Sequence, residues 1–318
     1  MRERPATPHG RRALPRLSGC LLAALALLAS SLNFAPALAQ TAQDEDEVVR
    51  VEADLVVLNV TVTDPQGRYV HKLSRSDFKV FEDGREQPLS LFSVEETPFA
   101  AAILIDTSGS MEGRVSLARA AAIRFLDGLR ADDVAAVYNF DSKVGQVQDF
   151  SPGRDLPPMA YTLGAHGWTS MYDAVARASA DLARRPEQRR AIILLSDGAD
   201  TKSGATLDKA LNSALAAHAA VYSVDMMDAT ARPTERAKAQ GALRHLASKS
   251  GGRYVPTPGG KALGEAFTGI VEELSNQYTL GYRPANRTRD GRWRALDLKL
   301  SRAELKTRTR SGYRAPKS

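Results

Sequence analysis

The hydrophobic period of this chain changes twice along its length. Val56, Leu58, Val60 and Val62 alternate with Val57, Asn59, Thr61 and Thr63, which is the period of two of a β-strand. From Phe99 the pattern differs. Short continuous apolar runs, Ala100 to Ile105 and Ala191 to Leu195, are separated by stretches at helical spacing. Val115, Ala118, Ala122, Phe125, Leu126 and Leu129 form one of these stretches. Past Asn276 the period of two returns, in Tyr278, Leu280 and Tyr282 and again in Leu296, Leu298 and Leu300. Runs apolar at every position belong to parallel strands buried on both faces. Their alternation with helices predicts an α/β fold: a doubly wound, mostly parallel, Rossmann-like sheet with helices on both sides. Neither flank alone closes a core easily. The economical architecture pairs the segments 50–97 and 276–318 into one small all-β, sandwich-like domain, with residues 98–275 inserted in it.

Finer expectations follow from the turn residues. Asp64-Pro65-Gln66-Gly67 is a turn, with proline preset for its second position. A short strand is expected at Tyr69-Val70. Phe78 and Val80 enter a tight hairpin at Asp83-Gly84, and Leu89 and Leu91 return from it. Helices are expected over 171–182, 207–218, 235–249 and 262–274, with an irregular connection over 151–167.

The formal net charge is +6. Its distribution matters more than its size. Residues 1–39 hold five arginines against one glutamate, and residues 283–317 hold twelve Lys/Arg against three Asp/Glu. The stretch between is net acidic, so the basic balance does not indicate nucleic-acid binding. The Arg-rich start, the apolar run Cys20 to Ala29 and Ala37-Leu38-Ala39 before Gln40 have the order of an export signal with a small-x-small cleavage site. The run is too short for a membrane span of about 20 residues. Cleavage after Ala39 leaves an acidic linker over 40–49 and no stable membrane span. It also removes Cys20, the one cysteine of the chain, so disulfides, thiolate metal sites and cysteine nucleophiles are excluded. The expected location is periplasmic or secreted.

Chemistry concentrates where the apolar runs stop. Ala100 to Ile105 ends at Asp106, followed by Ser108 and Ser110 with Gly109 between them. Ala191 to Leu195 ends at Ser196-Asp197-Gly198, and Thr169 precedes the helix that begins near Met171. Open α/β sheets build their sites at the carboxyl ends of the strands. Carboxylates and hydroxyls converging there suit a hard cation that takes about six oxygens and keeps some waters.

This arrangement resembles the von Willebrand factor A-type domain, whose metal-ion-dependent adhesion site follows D-x-S-x-S, then a threonine, then an aspartate. The matching positions are Asp106, Ser108, Ser110, Thr169 and Asp197. Trp168 stands where many members have a small residue. The flanks, with Val60-Thr61-Val62-Thr63-Asp64, Glu82-Asp83-Gly84 and Tyr278-Thr279-Leu280-Gly281-Tyr282, look like the bacterial von Willebrand factor A-related type first described from Acidobacteria. The resemblance implies Mg²⁺, or Mn²⁺ in its place, held by the five residues. It also implies an open position completed by an acidic residue of a protein ligand.

Blander readings stand beside this one. Asp106, Ser108 or Ser110 can cap the following helix, and Asp197-Gly198 can be only a turn. The basic tail can be the solvated face of edge strands, and His218 can favour the end of a helix as a cation. Two other functions also fit an open metal position. One is metal-assisted hydrolysis, for which Asp141 is the best spare carboxylate. The other is an envelope protein whose metal only stiffens a loop. The chain lacks G-x-S-x-G and G-x-x-x-x-G-K-[ST] patterns, and its histidines lack metal-ligand spacing.

Overall fold

The computed structural model describes residues 55–94, 97–152, 168–227, 232–256 and 260–317. The export segment and acidic linker expected at 1–49, and most of the irregular connection expected over 151–167, lie outside the described residues. The chain runs through β1 (Val56–Thr63), β2 (Phe78–Glu82), β3 (Arg85–Gln87) and β4 (Leu89–Ser93). The α/β region follows as β5 (Phe99–Asp106), α1 (Val115–Asp127), β6 (Val134–Phe140), β7 (Val144–Ser151), α2 (Met171–Leu182) and β8 (Arg189–Ser196). It continues with α3 (Leu207–Ala216), β9 (Ala219–Asp225), α4 (Pro233–Ser250), β10 (Tyr254–Val255) and α5 (Gly260–Ser275). The last strands are β11 (Tyr278–Tyr282), β12 (Trp293–Leu300), β13 (Lys306–Arg308) and β14 (Gly312–Arg314).

Six strands form the central sheet in the order β10-β9-β8-β5-β6-β7. All pairs are parallel except β6 with β7. β5 lies between β6 and β8, and every one of its residues is buried. Its side chains alternate between two cores even though the run is apolar throughout. Phe99, Ala101, Ile103 and Ile105 pack with α1 and α5, and Ala100, Ala102 and Leu104 pack with α2, α3 and α4. Phe125 of α1 meets Phe99 and Phe267 edge-on, each at 6.3 Å between ring centres. The α/β fold, its doubly wound sheet and its helix-covered faces are those expected from the period.

The two other sheets each draw strands from both ends of the chain: β13-β1-β11-β4 and β14-β12-β2-β3. Between them lies a third core that includes Val56, Leu58, Val60, Val62, Phe78, Val80, Tyr278, Leu280 and Tyr282. The flanks therefore fold together. The opposite face of β1 and β11 meets the α/β region through polar groups. Thr61 donates to Glu273 on α5 at 3.1 Å. Arg189, fully buried at the start of β8, donates to Thr279 Oγ1 at 3.2 Å and to the Gln277 carbonyl.

Four local expectations are corrected. Tyr69-Val70 is not a strand; Tyr69 makes one isolated bridge with Thr63. The hairpin at Asp83-Gly84 is present, with φ of 47° and 81°, but its return strand is β3. Pro88 interrupts the ladder, having no N–H to give, and Leu89–Ser93 crosses to the other sheet beside β11. His218 follows α3 in a left-handed conformation (φ 54°) and is no cation. Desolvation, then Arg310 and Arg190, push its pKa down to about 3. The basic tail is not wholly a solvated face, because Arg294 and Arg310 are buried.

Candidate functional site

The five candidate residues sit at the carboxyl ends of β5 and β8 and at the start of α2. Strand register accounts for the first contact. Ile105 pairs with Leu195, so Asp106 and Ser196 leave the sheet side by side. Ser196 Oγ donates to Asp106 Oδ2 at 2.6 Å and accepts from the Gly198 N–H at 3.0 Å. The other oxygen of Asp106 accepts from the Ser108 N–H at 2.9 Å.

Ser108 then starts a short turn over Gly109–Met111, and its hydroxyl caps nothing. It lies instead 3.1 Å from the Ser110 hydroxyl. Arg114 precedes α1 without a side-chain cap. Its guanidinium donates to the Ser110 carbonyl at 2.8 Å and to the Met226 carbonyl beyond β9. Helix capping therefore does not explain either serine. Asp197-Gly198 is a turn, as its composition allows: Gly198 has φ of 82° and Asp197 Oδ1 accepts from the Ala199 N–H at 3.0 Å.

Thr169 joins through the backbone. Its N–H donates to Thr201 Oγ1 at 2.8 Å, and its carbonyl accepts from Thr201 and Lys202 at 2.9 and 3.0 Å. Ser170 donates to the Asp141 carbonyl at 2.7 Å, and Thr107 to the Phe140 carbonyl at 2.8 Å. These contacts close a circuit from the β5 loop to the end of β6, then to the start of α2, then to the β8 loop and back to Asp106. Asp200, accepting from the Tyr172 N–H at 3.1 Å, and Asp173, accepting from Gly204 and Ala205 at 2.9 and 2.8 Å, fasten the β8 loop to α2.

Burial differs within the cluster. Asp106, Ser108, Thr169 and Asp197 are buried, whereas Ser110 is exposed and Trp168 is 52% exposed beside them. Desolvation, and then the charge of Asp197, push the Asp106 pKa up to about 7. Two carboxylates drawn together in a poorly hydrated place favour a proton or a cation between them. The donor set fits a hard divalent ion: two carboxylates and three hydroxyl oxygens. Among the described residues no group of three or more His, Cys, Asp or Glu side chains is placed to hold a metal, so hydroxyls are indispensable to any ion bound here. Asp141 Oδ1 accepts from the Lys143 N–H at 2.9 Å and from Ser142 at 3.2 Å, which anchors it in its own turn.

The role of Ser196 in holding Asp106 is not evident from its place in the sequence. Its signal is the alignment of two neighbouring parallel strands that end together, readable only once β5 and β8 are known to be adjacent.

A doubly wound sheet whose polar loops meet at its strand ends defines a Rossmann-like α/β domain. Residues 101–199 match the family described as von Willebrand factor type A domain. The chain carries such a domain. Solved structures with a similar fold include an aerotolerance-related membrane protein from Bacteroides fragilis, at 17% identity and a TM-score of 0.44, covering 56% of this chain and 98% of that one. A von Willebrand factor type A protein from Catenulispora acidiphila is similar at 15% identity and 0.44, over 78% of this chain and 76% of that one. The PilB minor pilin from Streptococcus sanguinis is similar at 16% and 0.44, over 60% of this chain and 63% of that one. No curated protein matches the chain.

Proposed function

We propose that the chain is an exported, non-enzymatic protein-binding module that uses a divalent cation, Mg²⁺ or Mn²⁺, at the loop cluster. Asp106, Ser108, Ser110, Thr169 and Asp197 would hold the ion, and Ser196 would orient Asp106. The observation that carries this reading is the state of Asp106. It is fully buried, accepts two hydrogen bonds and has its pKa pushed up to about 7 beside a second carboxylate. A positive charge at that point relieves the repulsion that a purely structural turn would leave in place.

A bound divalent ion supplies an electrophilic coordination site facing solvent, which an acidic side chain of a partner protein can complete. The chain's own residues hold the loops in register, exclude water from Asp106 and present Ser110 and Trp168 at the rim. The protein-binding reading also agrees with the general use of von Willebrand factor type A domains as interaction modules.

Isothermal titration of the purified protein with MgCl₂ and MnCl₂ tests the claim. Saturable binding near one ion per chain is expected, lost in Asp106→Ala while the circular dichroism spectrum is kept. Absence of binding by the wild-type protein for both ions refutes the metal-dependent reading.

A further inference from the structure

The β-sandwich and the α/β region leave a gap where they meet. Between β1, β13, the residue before β10 and the last turns of α5 lies a cavity of about 410 Å³, within the range of small-ligand pockets. It sits at the other end of the central sheet from the loop cluster, since Arg253 precedes β10 and Glu273 closes α5.

Its lining is unbalanced in charge. Arg253, Lys306 and Arg308 face it against one carboxylate, Glu273. Glu273 is already engaged by Thr61 at 3.1 Å, by the Tyr222 hydroxyl at 2.9 Å and by Arg308. Arg253 Nε stands 4.0 Å from Glu273 Oε2, outside hydrogen-bond reach, and has no other hydrogen-bond partner. Arg308 Nε is buried and also without a hydrogen-bond partner. Lys306 makes no ion pair among the described residues. Three cations against one carboxylate leave the lining net positive. Planar guanidinium donors match the paired oxygens of phosphate and carboxylate.

We propose that this cavity binds a small molecule bearing a phosphate monoester. The phosphate oxygens take the solvent-facing parts of the Arg253 and Arg308 guanidinium groups, whose side chains are each about a third exposed, and the Lys306 ammonium. The rest of the molecule occupies the space beside Tyr69 and Thr63. Such a ligand touches β1, β13 and α5 together and stabilises the seam by mass action. The site is independent of the metal reading, because none of its residues belongs to the loop cluster.

The test is calorimetric titration and thermal melting of the full chain with glycerol 3-phosphate, inorganic phosphate and malonate. Malonate separates a dicarboxylate preference from a phosphate preference. Saturable binding of glycerol 3-phosphate is expected, with a raised melting temperature. Affinity should fall about tenfold or more in Lys306→Gln and in Arg253→Gln. Lys299→Gln, which removes the same charge from β12, should bind like wild type. Four results overturn the proposal: no saturable binding of glycerol 3-phosphate up to about 10 mM, binding of malonate alone, binding unchanged in both Lys306→Gln and Arg253→Gln, or equal loss in Lys299→Gln.

Discussion

At the scale of single residues, the candidate site turns on one carboxylate. Asp106 ionises near 3.8 in an unfolded chain and near 7 in the fold. The fold therefore holds the proton more tightly than the unfolded chain does. Stability of the metal-free protein should fall as pH rises from about 4 to about 7 and level off above that. Asp106→Asn should flatten this slope in urea titrations across the same range. The proton also competes with the cation. Mg²⁺ affinity should be about tenfold higher at pH 8 than at pH 6, in calorimetry at fixed ionic strength. Ser196→Ala removes the donor to Asp106 Oδ2 and should weaken metal binding by about 10- to 100-fold with the fold retained. That these five oxygen-bearing residues lie at one end of the sheet was legible in the sequence, because they follow the ends of apolar runs or precede a helix. Ser196 was not, since its role depends on which strands are neighbours.

At the scale of elements, the central strands and helices were legible for a physical reason. Burial on two faces forces consecutive apolar residues, and burial on one face of a helix forces a period near 3.6. The elements that were misread lie in the flanks, where strands are short and switch sheets. Pro88 turns what reads as one returning strand into two strands in different sheets. Arg310 reads as surface, yet it is buried, donates to the Leu215 carbonyl at 3.1 Å and lowers the His218 pKa. Charge patterns in sequence report solvation only where no second layer covers the strand. The contact between α5 and the sandwich has one dominant group. Glu273→Ala strips the partner from Arg308 and the acceptor from Thr61 and Tyr222. The expected loss is about 2 kcal/mol, below the range for fully buried pairs because Arg308 is about a third exposed. The midpoint of urea unfolding measures it.

At the scale of the whole molecule, the inserted α/β region and the sandwich share polar groups that neither satisfies alone. Arg189 and Tyr222 belong to the central sheet, and Thr61, Gln277 and Thr279 to the segments outside it. Gln277 Nε2 donates to Thr61 Oγ1 at 3.3 Å and to the Tyr222 hydroxyl at 3.2 Å. Removing either part leaves buried donors and acceptors unmatched. Residues 55–317 should therefore unfold in one calorimetric transition, and two separable transitions would contradict a shared seam. The pairing of the flanks was inferable from their incompleteness, because four short strands at one end of a chain do not enclose a core. The polar character of the seam was not, since Thr61 and Thr279 look like the solvent face of ordinary strands.

The parallel strands β5 and β8 run from the sandwich at one end to the loop cluster at the other. Each has eight residues and so spans about 26 Å. Their hydrogen bonds to neighbouring strands lie across the strand direction. A force applied at Asp106 or Asp197 along the strands loads these ladders in shear, so many bonds bear the tension together instead of opening one by one. At the far end the pull reaches β11, which is paired with β1 over five consecutive positions. The most shear-resistant axis of the α/β region thus joins the loop cluster to the sandwich.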